Sequence, residues 1–195
     1  MSEPSLTTSQ QGSRMNEMKA TFKNAIALVR NPVAYMTQNK NQTVSVNSLM
    51  INYVAILALV PLVGRLIGDL LYYDKAVDNV GYAVAGTILS YFLDIISVFI
   101  VGYVIWWLAP RFTSLKDRPK ATMLSAFIFT PIFLIGILSI VPALGLLSIL
   151  GLLYGIYILY KGLPIIVNTP ANKAVMYTVY VLVITFIIDI VIALI

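Results

Sequence analysis

Cysteine and histidine are both absent from the 195 residues, and charge is scarce, at 11% of the chain. Without cysteine there are no disulfides, thiolate nucleophiles, iron–sulfur clusters or Cys-ligated zinc sites. Without histidine the commonest general base, the usual zinc ligand and the Ser-His-Asp triad are gone as well. The shortage of charge excludes more. A soluble domain is about 45–50% apolar and about 25% charged. Here 59% of residues are hydrophobic, and 13 Lys and Arg with 8 Asp and Glu make up all the charge. Mean hydropathy is +0.90. A water-soluble fold is excluded, and so is disorder, which needs low hydrophobicity. The chain reads as an all-α, polytopic integral membrane protein.

Five apolar runs meet the roughly 20 residues needed to cross hydrocarbon. They cover about 49–73, 81–109, 121–138, 142–160 and 174–195. In lipid these must be helices, because unsatisfied backbone groups there cost several kcal/mol each. The third and fourth runs are separated by a few uncharged residues, which predicts a tight helical hairpin. Ahead of the spans, residues 1–14 are polar and read as a disordered tail. Residues 15–48 read as an amphipathic interfacial helix and linker, with Pro32 stopping or bending the helix. Met15, Met18, Phe22, Ile26 and Val29 share one face of that helix, beside Lys19, Lys23 and Arg30. Such a helix lies in the interface against anionic headgroups. No repeat and no second domain stand out.

Basic residues alternate from loop to loop. They are dense before the first span, in the second connection (Arg111, Lys116, Arg118, Lys120) and in the fourth (Lys161, Lys173). The positive-inside rule then places the N-terminus in the cytoplasm and the C-terminus outside. This accounts for the net charge of +5 without nucleic acid. Tyr72, Tyr73, Tyr82, Trp106, Trp107, Tyr154, Tyr157 and Tyr160 fall mostly near span ends, as an aromatic belt does.

Charges inside the spans are the candidate functional groups, since each costs about 2.5–3.5 kcal/mol at bilayer centre and needs a partner. Arg65 and Asp69 lie four apart on one helix face, Asp94 is mid-span, and Asp189 is near the end of the fifth run. At 1.5 Å per residue, Arg65 lies roughly 12 Å, Asp94 roughly 16–20 Å and Asp189 roughly 9 Å from the outer end of its span. One layer holding all of them would suit a cation or proton site. An Arg65–Asp94 or Arg65–Asp69 bridge that fixes helix register is the plainer reading. Gly64 with Gly68, and Gly151 with Gly155, are GxxxG pairs that favour close approach within the bundle over a homo-oligomer face. Pro61 and Pro131 predict kinks, and Thr130 sits beside the second. There is no HExxH, GxSxG, Walker or Rossmann pattern. No catalytic residue, metal or cofactor is expected.

One set of residues carries a family likeness. It runs Ala-Thr-Met-Leu-Ser-Ala-Phe-Ile-Phe-Thr-Pro from Ala121, Leu-Tyr-Gly-Ile-Tyr-Ile-Leu-Tyr-Lys-Gly-Leu-Pro up to Pro164, and Asn-Thr-Pro-Ala-Asn-Lys-Ala up to Ala174. With Arg30–Tyr35 and Val104–Ala109, this resembles the Yip family of Ypt/Rab-interacting membrane proteins, its prokaryotic inner-membrane branch in particular. The resemblance implies five spans with a cytoplasmic N-terminus. For eukaryotic relatives it implies binding of Rab-type GTPases and vesicle traffic. It implies a cytoplasmic inner membrane for a prokaryotic source and an ER/Golgi-type membrane for a eukaryotic one.

The expected function is a non-enzymatic protein that organises its bilayer or recruits a protein partner through its cytoplasmic face. The motif loop of Lys161, Gly162, Pro164, Thr169, Pro170 and Lys173 would make that contact. The rivals are a small channel or transporter for cations or protons, and lipid scrambling beside the third span.

Overall fold

A computed structural model describes residues 8–72 and 80–193. Five helical stretches are long and apolar enough to cross a membrane. The first is composite: α3 (Val46–Leu49), a π-helical turn (Met50–Val54) and α4 (Ala55–Tyr72). Ser45 opens it by accepting from the Ser48 backbone N–H. A π-turn leaves a carbonyl without its usual partner. Here the Thr21 hydroxyl donates to Asn52 O at 2.8 Å, and the Tyr91 hydroxyl to Ala55 O at 3.3 Å. The second span is α5 (Val80–Leu108), which tightens into a 3₁₀ turn at Ala109–Phe112. The third, α6 (Arg118–Ile135), starts where Asp117 caps the Lys120 N–H. The fourth and fifth are α7 (Ser148–Ile166) and α8 (Ala171–Ala193).

Helix α6 is central. Of its spanning stretch 56% is buried within the protein, against 22–33% for the other four. Small residues let the neighbours close on it. A Cβ on Gly155 would stand 2.7 Å from Ile128 O, and one on Gly151 3.1 Å from the Ile132 Cα. On the opposite flank Gly102 of α5 faces the Thr122 backbone, and Ser125 donates to Val98 O at 2.6 Å. Tyr177 of α8 donates its hydroxyl to Ile105 O and stacks on Phe112 with ring centroids 4.4 Å apart. In lipid, where apolar surface alone does not drive helices together, such close backbone contact and hydrogen bonding hold a bundle.

The connection between α6 and α7 is not a plain helical hairpin. Two 3₁₀ segments, Gly136–Ile140 and Pro142–Leu147, meet at an extended Val141. The first lies in the groove that Gly64 and Gly68 leave on α4: their Cβ positions would meet Gly136 O and Ser139 O, each at 2.7 Å. Gly136 in turn faces the Pro61 ring, with its own Cβ position 2.5 Å from Pro61 Cβ. This glycine pair therefore receives an irregular segment of the same chain.

Helix begins within the stretch expected as a tail over 1–14, and the amphipathic helix that follows also packs on the bundle. Helix α1 spans Thr8–Arg30, so it begins seven residues before Met15, and residues 1–7 lie outside the described part. Pro32 ends α1 and starts α2 (Pro32–Asn39), whose first turn is capped by Asn31. Both helices dock on the bundle. Ala25, Leu28 and Met36 are fully buried, Tyr154 donates to Val29 O at 2.8 Å, and Tyr35 packs edge-on against Phe127. That burial pushes the Tyr35 phenol above its ordinary pKa.

Candidate functional site

The intramembrane charges divide into three settings. Arg65 and Asp94 form an ion pair at 3.0 Å between α4 and α5, the salt bridge seen among the described residues. Asp69, one turn beyond Arg65, accepts from the Thr87 hydroxyl at 2.8 Å. Asp189 stands apart from both, in a crevice between α7 and α8 lined also by Ser97 and Thr185. The bonded partner of Asp69 is thus a neutral hydroxyl 18 residues along the chain, which no local spacing would pick out. Arg65 meets Asp94 on the facing helix. These pairings tie α4 to α5 at two levels and suit register-fixing. Among the described residues no three carboxylates converge, so no metal position is assigned.

Thr130 and Pro131 have a structural setting. The Thr130 hydroxyl donates to Ala126 O at 2.9 Å and pairs with the buried Tyr53 hydroxyl at 2.9 Å, tying the π-turn to α6. Helix α6 continues through Pro131, whose carbonyl lies 3.2 Å from the Gly151 Cβ position.

Of the six motif residues, Lys161, Gly162 and Pro164 lie in α7 and Lys173 in α8, leaving Thr169 and Pro170 in the connection, and Gly162 and Thr169 pack inside the protein. Gly162 is buried where a Cβ would strike the Leu124 side chain, with Met36 Sδ at 3.1 Å. Thr169 is 4% exposed, and its hydroxyl pairs with that of Ser114 at 2.8 Å. Pro164 lies near the end of α7, where the Val167 and Thr169 N–H groups both close on Leu163 O. Leu115 N–H donates to Val167 O at 2.8 Å, and Lys173 Nζ to the Thr113 hydroxyl at 2.6 Å. Pro170 is half-buried. These contacts join the 113–115 and 167–173 segments at one end of the bundle. Thr169→Val keeps the shape and removes the buried hydroxyl. It is expected to cost about 1–2 kcal/mol in detergent thermal unfolding, because Ser114 loses its good partner; an unchanged midpoint would show that this hydroxyl pair adds no stability.

This end also carries cations set on aromatic rings, Arg111 and Lys116 exposed and Lys161 half-buried. Arg111 lies over the Trp107 ring at 4.6 Å, Lys116 over Trp106 at 4.7 Å, and Lys161 over Tyr160 at 5.2 Å. Tyr72 and Tyr82 are exposed near the far ends of α4 and α5, while Tyr73 lies outside the described residues.

Helix α1 has two apolar faces, of which the expected stripe is one. Thr21, Ala25 and Leu28 turn toward the bundle. Met15, Met18 and Ile26 remain 43–55% exposed and form, with Phe22, an open groove edged by Lys19, Lys23 and Arg30. The inner face repeats at four and then three residues, so helical periodicity is enough to reveal it.

The chain is 24% identical over 148 residues to the inner membrane protein YohC of Escherichia coli K12, covering 71% of this chain and 75% of that protein. The same holds for YohC of Escherichia coli O6:H1. No solved structure matches. The family model of the Yip1 domain matches residues 26–193, from the last five residues of α1 to the end of α8, and the chain belongs to that family.

Proposed function

We propose that this chain is a non-catalytic organiser of an inner-membrane-type bilayer, seated with its N-terminus in the cytoplasm, which grips the anionic surface of the cytoplasmic leaflet through α1. The observation that carries the reading is the doubleness of that helix. One face is locked to the bundle through Ala25 and Leu28, so the other cannot turn inward. That outer face is apolar along Met15, Met18 and Ile26 and basic along Lys19, Lys23 and Arg30. An apolar stripe with a cationic edge is what an interfacial helix needs: acyl-chain contact below and headgroup contact beside. Lys116, Lys161 and Arg111 stacked on aromatic rings add cation-bearing anchors of the kind found at headgroup level. The inner-membrane placement is carried over from the E. coli relative.

The chain has no cysteine, so one introduced thiol reports cleanly. Met18→Cys with an environment-sensitive label, on the whole protein in nanodiscs, is expected to show a buried, blue-shifted probe in phosphatidylglycerol-containing bilayers. Each basic residue near such a surface contributes about 1 kcal/mol, so adding Lys19→Glu and Lys23→Glu should return the probe to water. Identical emission in neutral and anionic discs would remove the reading.

A further inference from the structure

The crevice holding Asp189 has the form of a lateral lipid site. An inner chamber of about 180 Å³ lies between α5, α6, α7 and α8, and an open groove of about 420 Å³ runs outward between α7 and α8. The two share Leu152, Ile156, Leu182, Thr185 and Asp189. An apolar cavity of roughly 150 Å³ stays dry and accepts a benzene-sized guest. The inner chamber therefore has room for part of an acyl chain and not for a whole lipid. Two features distinguish it from a packing defect. The Thr185 hydroxyl is buried and has no hydrogen-bond partner among the described residues, although a threonine in a helix can reach back to the carbonyl four residues earlier. Asp189 lies one turn further on the same face of α8, four residues from Ala193, or roughly 6 Å from the end of the described helix. Asp189 thus lies at one end of the apolar span Ala171–Val191. A third polar residue, Ser97 of α5, lines the chamber.

A carboxylate beside an apolar slot selects among amphiphiles by charge. An anionic phosphatidylglycerol brings only neutral hydroxyl donors to Asp189, and its net charge adds repulsion. A quaternary choline brings positive charge without N–H. A primary ammonium brings three donors, which suit a carboxylate and a free hydroxyl oxygen. We propose that the α7–α8 crevice binds one aminophospholipid, with a length of acyl chain in the inner chamber and the ammonium on Asp189 and Thr185. The site lies at the end of the bundle away from the basic loops and is independent of the reading of α1.

The test uses the whole chain in mild detergent with equal phosphatidylethanolamine, phosphatidylcholine and phosphatidylglycerol, and counts retained lipid by native mass spectrometry. One retained phosphatidylethanolamine per protein is expected, preferred about tenfold or more over the other two, as befits a charge-assisted hydrogen bond. Asp189→Asn should abolish the preference, and Ile156→Trp, which fills the slot, should abolish retention of all three. The wild-type chain offered singly and doubly N-methylated phosphatidylethanolamine needs no variant, and retention should fall with each methyl. Retention indifferent to headgroup or to N-methylation, or a preference surviving Asp189→Asn, would overturn the proposal.

Discussion

Arg65→Met is expected to destabilise the bundle by about 3 kcal/mol, and Arg65→Met with Asp94→Leu to recover most of that loss. The sign follows from depth. Asp94 lies fourteen residues from either end of α5, roughly 21 Å at 1.5 Å per residue. Arg65 is seven residues from the end of α4, roughly 10 Å. Their side chains are 25% and 35% exposed, and at that depth in a bilayer bulk water is scarce, so screening is weak. Removing the guanidinium alone leaves a carboxylate with little solvent and no counter-charge. Removing both leaves two apolar side chains on an apolar seam, and buried pairs are often replaceable that way. Unfolding in mixed micelles across the four-member cycle measures the coupling. Additive losses, with the double variant worse than either single, would mean the pair does not stabilise the folded protein.

The same two residues mark where sequence reading succeeds. A charge in a span is conspicuous because lipid penalises it wherever the chain goes, so Arg65, Asp69, Asp94 and Asp189 stand out from hydropathy alone. Their partners are less legible. Asp94 is one of two candidate partners for Arg65, since both Asp69 and Asp94 are within reach of the guanidinium by spacing and depth. Thr87 as the partner of Asp69 carries no signal at all, because a hydroxyl is cheap in a helix and common on all faces. Asp189 joins Arg65 by depth alone. Depth along an axis says nothing of azimuth, and in the structure Asp189 opens into the α7–α8 crevice.

Span number and approximate ends are written in hydropathy, which needs no tertiary information. The ends of α6 and α7 are not. Residues 136–147 are as apolar as their neighbours; Pro142 marks the break in sequence, while the groove at Gly64 and Gly68 that receives residues 136–140 is visible only in the structure. The motif residues are ambiguous in sequence for a related reason. Gly162 and Thr169 are packed inside the protein, and a sequence does not separate a residue held by neighbours within the protein from one presented to a partner outside it.

Glycine contacts supply the second large effect. Gly155→Val is expected to lower stability by about 2–3 kcal/mol and Gly136→Ala by at least about 1 kcal/mol, whereas Gly86→Ala should raise it by about 0.5–1 kcal/mol. Every glycine in a helix interior carries the same backbone entropy penalty, so replacing it brings the same small gain. What differs is the space. A Cβ at Gly155 stands 2.7 Å from Ile128 O, and one at Gly136 stands 2.5 Å from Pro61 Cβ, so the α6–α7 and α4 seams would have to part. In lipid a parted seam also forfeits the close van der Waals contact that holds helices together. Among the described residues nothing lies within 4 Å of the Cβ position at Gly86, which is exposed on α5. Unfolding of the three variants in one detergent separates the explanations. If the losses track helix propensity, all three substitutions move stability alike; if they track contact, Gly86→Ala moves against the other two.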